Sequence, residues 1–389
     1  MGEAEVRLEK IYFNNFLSLH NVMLPLRPLT ILVGPNASGK SNVLKALELL
    51  KRMMVSEKLP SADYIQNRIW AGGANSISFQ LEVTVDEKLA SYKLELQPIA
   101  DNGITLEELL VDRVKVISVH KGKGQVKDED DKNPVPYRST KLALKSAGDY
   151  GNKPVTGVLT EFIRNWEFYD FNPQSMRGRD IIIENVFRQV ADIQPPTSLD
   201  DDGTFLKHLL SYWYVNDQER FQAVNEALQK CSGLGVEQHS NGDDELYLVE
   251  GYKNPIPLER ASDGTLRLLA YHMLLNQSEL PSLIAIEEPE RNLHPAALTI
   301  ISSLLEQLAE ETQVIITTHS SQLLDTFNPD SLSNNLSVLL LRNRPGSGTE
   351  VINLAEVRED RKALKGWIED FGIGSAIFHS ELLQDVMEE

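Results

Sequence analysis

The sequence predicts an α/β protein that combines a parallel sheet, an antiparallel β-subdomain and an inserted, partly helical region. Three observations lead to this prediction. From residue 262 onward, helical patterns alternate with short apolar strands, which is typical of parallel strands joined by crossover helices. Residues 76–85 and 91–97 instead alternate strictly between apolar and polar side chains, as half-buried antiparallel strands do. Between residues 156 and 231, apolar residues recur at helical spacing.

The remaining elements follow from the same patterns, taken in chain order. Strands are expected at 6–13, 22–26, 29–33 and 111–119, and a helix at 41–50. Residues 121–149 are polar, mixed in charge and poor in large apolar side chains, so a flexible loop is expected there. Further helices are expected at 156–166, 205–214 and 219–230.

These elements divide the 389 residues into a core and an insertion. Residues 1–58 and 254–389 are expected to form one discontinuous core domain. The segment 59–253 is expected to be inserted into it, with antiparallel strands at about 76–120, the flexible loop at about 121–149 and helices at about 156–231. No apolar heptad pattern is sustained, so a long coiled-coil arm is not expected.

Composition limits the classes of function. Apolar residues make up 41% and charged residues 24% of the chain, an ordinary globular balance. The net charge of −19 argues against a surface that coats nucleic acid, because phosphate binding requires clustered Lys and Arg. The net charge does not exclude a local basic strip that contacts nucleic acid, and Arg164, Arg177 and Arg179 are the candidates. The single cysteine, Cys231, and the lack of a signal peptide or a membrane-length apolar run predict a cytoplasmic protein without a membrane partner.

The segment from Gly34 to Ser41, GPNASGKS, fits the phosphate-loop pattern Gly-x-x-x-x-Gly-Lys-Ser/Thr at every fixed position. It follows an apolar strand and opens a helix, which disfavours a chance glycine turn. The glycines let successive backbone N–H groups face one anion, Lys40 would reach the β- and γ-phosphates, and Ser41 would hold Mg²⁺. The predicted nucleotide-binding residues are Gly34, Pro35, Asn36, Ala37, Ser38, Gly39, Lys40, Ser41 and Asn42.

Two later apolar strands end in residues suited to hydrolysis. The strand at 282–286 is followed by Glu287 and Glu288, and a phosphate-loop enzyme needs one carboxylate near Mg²⁺ and another near the attacking water. We assign Glu287 to the metal and Glu288 to the water. The strand at 314–318 ends at His319, whose imidazole can hydrogen-bond the γ-phosphate or the water. Solvated carboxylates and a packed histidine are the structural alternatives.

A second helix N-terminus suited to phosphate lies at residues 261–265. Ser262 or Asp263 can cap the helix at 266–275, and Gly264 lets the backbone approach a ligand closely. By itself, this segment is better explained as a plain helix cap.

In this order the motifs resemble those of ABC-type ATPases of the RecF/SMC class, over roughly the first 50 and the last 130 residues. The resemblance implies that Gly34, Asn36, Gly39, Lys40 and Ser41 match Walker A, and that Glu287 and Glu288 match Walker B. It further implies that Ser262 and Gly264 match the signature motif, that Asn292 and His294 lie in the D-loop, and that His319 is the switch histidine. Asn15-Phe16-Leu17-Ser18 resembles the Asn-Phe-x-Ser lead-in of that class.

The chain departs from that pattern in two places. Glu287 stands where Walker B usually has Asp, and the signature has one glycine, as in RecF-like proteins. The glutamine loop has two candidates, Gln174 and Gln194.

The resemblance is strongest to stand-alone AAA-family ATPases of bacteria, related to overcoming-lysogenisation-defect nucleases and anti-phage defence ATPases. Those nucleases carry a Toprim domain. Its acidic motifs are not matched by the scattered Asp325, Asp330, Glu350 and Glu356, so the expected effector is another polypeptide, such as a nuclease.

The leading hypothesis is an ATPase that uses ATP and Mg²⁺ and dimerises on ATP binding. Two chains would close around two ATP molecules, and hydrolysis would reopen them to control a partner or DNA, in bacterial DNA repair or anti-phage defence. An ABC transporter-type motor subunit is the first alternative, which the mismatched signature and the β-rich insertion disfavour. A non-hydrolysing ATP-binding scaffold is the second, which Glu288 disfavours because such proteins often lose this base.

Overall fold

The computed structural model describes residues 4–98, 103–139, 141–177, 197–240, 244–249, 255–332 and 334–380. Two large sheets dominate it. The first is antiparallel and has eight strands, in the order β2-β1-β4-β5-β6-β7-β8-β9. Their bounds are β1 Val6–Asn14, β2 Val22–Pro25, β4 Ile77–Val85, β5 Lys88–Leu96, β6 Ile104–Val111, β7 Val114–His120, β8 Lys123–Val126 and β9 Val135–Arg138. Every second side chain of β4 is buried, which confirms the alternation seen in the sequence.

The second sheet has six strands in the order β10-β14-β15-β3-β16-β17. Their bounds are β3 Leu29–Val33, β10 Trp166–Tyr169, β14 Leu283–Glu287, β15 Gln313–Thr318, β16 Leu336–Arg344 and β17 Gly348–Asn353. All pairs are parallel except β16 with β17. The carboxyl ends of β3, β14 and β15 therefore meet at one edge, where ligands bind in open α/β sheets. A third, small antiparallel sheet contains β11 Gly235–Ser240, β12 Asp244–Val249 and β13 Ile256–Pro257.

Helices cover both faces of the parallel sheet. Their bounds are α1 Lys40–Val55, α2 Ala62–Gln66, α3 Leu144–Ala147, α4 Pro154–Arg164, α5 Pro173–Met176, α6 Leu206–Asn216, α7 Gln218–Ser232, α8 Asp263–Leu275, α9 Pro295–Glu311, α10 Ser321–Leu324, α11 Leu354–Asp360, α12 Lys362–Phe371 and α13 Ile373–Phe378. Short 3-10 turns occupy Leu258–Arg260 and Pro329–Ser331.

Strand β3 separates two hydrophobic cores, because successive side chains of a strand point to opposite faces. Leu32 joins a core formed with α1, α4 and the antiparallel sheet. Ile31 and Val33 join a second core formed with α6 to α10 and the C-terminal helices. The strand that leads into the phosphate loop is thus buried on both sides and holds the loop firmly.

Several sequence predictions need correction. In place of the flexible loop expected over 121–149, the structure has β8, β9 and α3. Some polar side chains there bond to one another, as in the hydrogen bond from Asn133 Nδ2 to Asp128 Oδ2 (2.8 Å), so a polar sequence is compatible with ordered structure. The strand expected at 111–119 is the end of β6, a turn through Asp112 and Arg113 at positive φ, and β7.

The division into a core and an inserted segment 59–253 stays a prediction. The sheet pairings interleave the two parts, since β4 pairs with β1 and β10 pairs with β14. Strand β10 had no distinct sequence signal, because its four residues continue the apolar pattern of α4. None of the helices in the described ranges combines the length and hydropathy that a membrane span requires.

Candidate nucleotide-binding and catalytic site

The phosphate loop connects β3 to α1 at the carboxyl edge of the parallel sheet. A Cβ on Gly34 would collide with the Leu341 carbonyl oxygen, and a Cβ on Gly39, whose φ is 110°, would collide with the Thr349 hydroxyl. At both fixed positions of the motif, a residue larger than glycine would therefore collide with a neighbouring oxygen. Gly39 stands at the N-cap of α1 without a capping side chain, so the first N–H groups of the helix are left for an anion. Residues 35–37 form the exposed tip of the loop.

Lys40 lies inside the phosphate loop. It is 7% exposed, and its Nζ donates to the carbonyl oxygens of Gly34 (2.7 Å) and Pro35 (3.0 Å). Burial lowers the pKa of Lys40 from its ordinary value, and the negative charges of Glu288, Glu287 and Glu290 offset this only in part. The ammonium group is therefore held where a phosphate would meet it.

A hydrogen-bonded network supports the loop from behind. The Thr349 hydroxyl of β17 lies 2.7 Å from Ser18 Oγ and donates to the Ser38 carbonyl oxygen (3.1 Å). Asn42 Nδ2 donates to Ser18 Oγ (2.8 Å). Ser18 belongs to the lead-in segment, so this segment is fixed to the start of α1. Ser38 Oγ is buried and has no partner among the described residues, which leaves a polar atom available to a ligand.

Ser41 and Glu287 provide the oxygen atoms that suit Mg²⁺. The Ser41 hydroxyl donates to Glu287 Oε1, so the longer side chain at this Walker B position reaches the serine directly. Hard oxygen donors of this kind are the ligands that Mg²⁺ prefers. The set therefore fits the ion, with Ser41 and Glu287 as the residues that would hold it. When bound, Mg²⁺ would supply positive charge to the β- and γ-phosphates.

Glu288 leaves the sheet edge at a left-handed backbone conformation, with φ of 45°. Its N–H donates to the carbonyl oxygen (3.0 Å) and hydroxyl (3.2 Å) of Thr317 on the neighbouring strand. Its Oε1 lies 3.0 Å from His319 Nδ1, and its Oε2 accepts from Arg291 Nε (3.1 Å) and Nη2 (3.0 Å). The two residues predicted to face the attacking water, Glu288 and His319, are therefore in contact.

The ionisation of Glu288 follows from these contacts. Burial raises its pKa, but the hydrogen bonds and charges of Arg291 and His319 outweigh burial and hold the pKa below its ordinary value. The carboxylate is thus ionised at neutral pH, which is the state that a base requires.

Glu290 completes the site on the side of β15. Its Oε1 accepts from Thr318 Oγ1 (2.6 Å) and from the His319 backbone N–H (3.4 Å), and so it fixes the start of the switch-histidine segment. Its Oε2 is buried without a partner among the described residues.

The predicted signature residues Ser262 and Gly264 lie at the start of α8. Ser262 caps it by accepting from the Thr265 N–H (3.1 Å), which confirms the predicted cap, and Ser262 is exposed. Asp263 pairs with Arg177 and accepts from Asn292 Nδ2 (3.4 Å). Within the described ranges, no hydrogen bond joins this helix N-terminus to the phosphate loop of the same chain. His294 caps α9 by accepting from the Ala296 N–H (3.2 Å), a structural role.

The structure describes three of the five remaining predicted residues. Gln174 follows β10 in the short helix α5 and is exposed, whereas Gln194 and Arg179 lie outside the described residues. Of the remaining basic-strip candidates, Arg164 pairs with Glu161 (2.6 Å) and Arg177 with Asp263.

Sequence reasoning missed the contacts of Glu290, Arg291 and Thr349. Glu290 and Arg291 begin the stretch Glu-Arg-Asn-Leu-His-Pro at 290–295, two residues after Glu288, so the sequence indicates that they lie near the site but not which residues they contact. Thr349 carries no sequence signal, because its role depends on how β17 pairs beside the loop.

The elements that carry this cluster match AAA-type ATPase domains. The chain belongs to the family described as AAA domain, putative AbiEii toxin, Type IV TA system, whose family model matches residues 125–325. The family model described as AAA ATPase domain matches residues 7–146. The two matches together span the phosphate loop, α8, β14 and β15.

Two curated relatives are nucleases. The chain is 23% identical to the Old nuclease of Escherichia phage P2 over 361 residues, covering 82% of this chain and 57% of that protein. It is 44% identical over 43 residues to the OLD nuclease of Thermus scotoductus (strain ATCC 700910 / SA-01), covering 11% of this chain and 8% of that protein. The chain thus spans little more than half of the first relative and a small part of the second.

Solved SMC heads share the fold. An SmcHead bound to the C-winged helix domain of ScpA is 15% identical, with a TM-score of 0.52 over 89% of this chain and 98% of that chain. An Smc head domain with an extended coiled coil, bound to the C-terminal domain of ScpA derived from Pyrococcus furiosus, is 13% identical, with a TM-score of 0.50 over 93% and 99%. The predicted fold class and the resemblance to RecF/SMC-class ATPases and OLD nucleases are confirmed.

Proposed function

We propose that the chain hydrolyses ATP to ADP and phosphate with the help of Mg²⁺. The observation that supports this proposal is the convergence of Lys40, Ser41, Glu287, Glu288 and His319 at one edge of the parallel sheet. Lys40 would bind the phosphates, and Ser41 with Glu287 would hold the ion. Ionised Glu288 would orient the attacking water and accept its proton, while His319 would contact that water or the γ-phosphate.

The test measures phosphate release and nucleotide binding side by side. Lys40→Ala should abolish binding, because it removes the cation that faces the phosphates. Lys45→Ala is the matched control, since Lys45 lies on the same helix but is exposed, and it should behave as the parent. Glu288→Gln should retain ATP and lose turnover, because an amide cannot act as the base. Normal turnover in Glu288→Gln would contradict the assignment.

The second part of the proposal is that ATP makes two copies close on each other, with Ser262 of each facing the ATP of the other. Ser262 and the N-terminus of α8 are suited to phosphate and exposed, and they make no hydrogen bond to the phosphate loop of their own chain within the described ranges. A twofold arrangement would give two equal ATP sites and use both helix N-termini.

This dimer is tested by light scattering with and without Mg-ATP in the Glu288→Gln background, where trapped ATP should prolong the closed state. Ser262→Arg should bind ATP as a monomer and lose hydrolysis, because the bulky side chain blocks the facing phosphate. Ser262→Thr keeps the cap and should still dimerise. A mass that never changes with nucleotide, together with normal hydrolysis by Ser262→Arg, would refute the composite site.

We further propose that the switch acts in the cytoplasm on a separate effector such as a nuclease, in DNA repair or anti-phage defence. The two relatives named as nucleases support this class of partner. Duplex DNA is the other candidate ligand, and a direct contact should weaken as salt rises because phosphate contacts release counterions. Recovery of the native protein with its partners, followed by a nuclease assay with and without ATP, tests the effector.

A further inference from the structure

The side chain of Arg291 bridges the ends of two neighbouring strands. It lies in the turn after β14, where its N–H donates to the Glu288 carbonyl oxygen (3.0 Å). Its Nε and Nη2 both donate to Glu288 Oε2, and its Nη1 donates to Asp170 Oδ1 (2.9 Å). Asp170 directly follows β10, the strand that pairs with β14. Three N–H groups of one planar guanidinium are thus fixed by two carboxylates.

A partly exposed ion pair contributes little to stability, so we looked for a role of the Arg291–Glu288 pair in the chemistry of the site. The side chain of Glu288 is 21% exposed and has three rotatable bonds before its oxygens. His319 contacts one oxygen and Arg291 the other. The Lys40 ammonium is the competing partner, since the charge of Glu288 already acts on it. Without Arg291, the carboxylate would be free to turn away from the position that faces the attacking water.

We propose that Arg291 is a positioning residue that holds the Glu288 carboxylate in the orientation that hydrolysis requires, with Asp170 as its anchor. This inference rests on the proposed ATP hydrolysis. Arg291 acts through Glu288. A planar fork suits the role because it can hold both carboxylates at fixed angles, whereas an ammonium group binds as a point charge.

The test is the separation of kcat from KM for ATP. Arg291→Ala should lower kcat about tenfold or more, because small misplacements of a catalytic group are costly, and it should leave KM within about twofold. Arg291→Lys should restore part of kcat. Asp170→Asn should lower kcat less than Arg291→Ala, because Arg291 keeps its contact with Glu288.

The matched control is Arg220→Ala. Arg220 forms an i,i+3 pair with Asp217, with side chains 35% and 27% exposed, compared with 39% and 21% for Arg291 and Glu288. It lies at the start of α7 and contacts none of the site residues among its hydrogen bonds. Its removal should leave both kcat and KM as in the parent.

A second measurement excludes a merely structural role. In the Glu288→Gln background, single-turnover hydrolysis should be the same with Arg291 and with Ala at that position, because the carboxylate through which Arg291 acts is gone. An unchanged or higher kcat for Arg291→Ala, or an equal loss in both backgrounds, would overturn the inference. If the parent binds ATP without turnover, the proposed function fails and the inference fails with it. Turnover by the parent with an unaffected Arg291→Ala refutes the inference alone.

Discussion

Glu107, a buried glutamate in the antiparallel sheet, and Glu288, a partly buried glutamate at the edge of the parallel sheet, are held by different kinds of partner. Glu107 on β6 is fully buried, and its carboxylate accepts from the N–H groups of Ala143 (2.6 Å) and Leu144 (2.8 Å) and from the Tyr92 hydroxyl (3.1 Å). Glu288 is held by the side chains of Arg291 and His319, which are 39% and 55% exposed.

This difference separates a structural carboxylate from one that we propose to be catalytic. Glu107 accepts from backbone N–H groups at a buried turn, so the contact holds α3 against the antiparallel sheet. Exposed side chains can exchange Glu288 for water or substrate. Ionisation follows the same division: burial raises the pKa of Glu107 to about 7, whereas its partners hold the pKa of Glu288 below its ordinary value.

The largest expected effect comes from the same Glu→Gln change at the two sites. Glu288→Gln should lower turnover about a thousandfold, the range of a lost general base, and change the free energy of unfolding by less than about 1 kcal/mol. Glu107→Gln should do the reverse: at about pH 5, where Glu107 is protonated, it should lose about 1–2 kcal/mol because one backbone N–H loses its acceptor, and kcat should be unchanged. Urea unfolding and phosphate release on both variants check this. If the two variants lost turnover and stability to the same extent, the two glutamates would not differ in role.

Glu107→Ala should be the most destabilising change at the structural site. It leaves two backbone N–H groups and the Tyr92 hydroxyl buried without their acceptor, and it creates a cavity in the sheet. We expect a loss of about 3–4 kcal/mol in the free energy of unfolding. Glu108→Ala on the same strand is the control, since Glu108 is partly exposed and pairs with Lys115, and it should cost less than about 1 kcal/mol. Similar losses for the two variants would contradict the structural role.

The raised pKa of Glu107 makes stability depend on pH. Because the folded-state pKa of about 7 lies above the ordinary value of 4.5, the protonated form favours folding, and this contribution is complete below pH 4.5 and lost as pH rises through 7. Across that window the parent should lose about 3 kcal/mol relative to Glu107→Gln, at 1.36 kcal/mol per pKa unit. Unfolding curves of both proteins between pH 4.5 and 8 measure the difference. A difference that does not vary with pH would show that the carboxylate is ionised throughout.

The sequence predicts the residues of the candidate site better than it predicts the contacts within the antiparallel sheet. Phosphate binding imposes fixed residue types at fixed spacing, so Gly34, Lys40 and Ser41 could be placed without a structure, and Glu287 does reach Ser41. Glu107 gave no signal, because its partners are backbone groups of a turn 36 and 37 residues away, within the segment expected to be a loop. The contacts of Arg291 with Asp170 span 121 residues and depend on the pairing of β10 with β14.

The smallest expected effect concerns the hydroxyl network behind the phosphate loop. Thr349→Val keeps the shape of a side chain that is 4% exposed but removes the hydrogen bonds to Ser18 Oγ and the Ser38 carbonyl oxygen. We expect the affinity for ATP to fall about three- to tenfold and the free energy of unfolding to fall by about 1 kcal/mol. Thr160→Val is the matched control, because Thr160 is also 4% exposed and its hydroxyl donates to two carbonyl oxygens, those of Leu144 (3.0 Å) and Thr156 (2.8 Å).

Both variants should lose similar stability, since each leaves buried acceptors without a donor. Only Thr349→Val should weaken ATP binding. Thr160 lies on α4, and its hydroxyl bonds to Leu144 and Thr156, neither of which belongs to the phosphate loop. Titration of a fluorescent ATP analogue, paired with urea unfolding, separates the two quantities. Weaker binding by Thr160→Val in proportion to its lost stability would mean that the phosphate loop responds to general loosening of the fold. Unchanged binding by Thr349→Val would show that β3 and α1 hold the loop without help from β17.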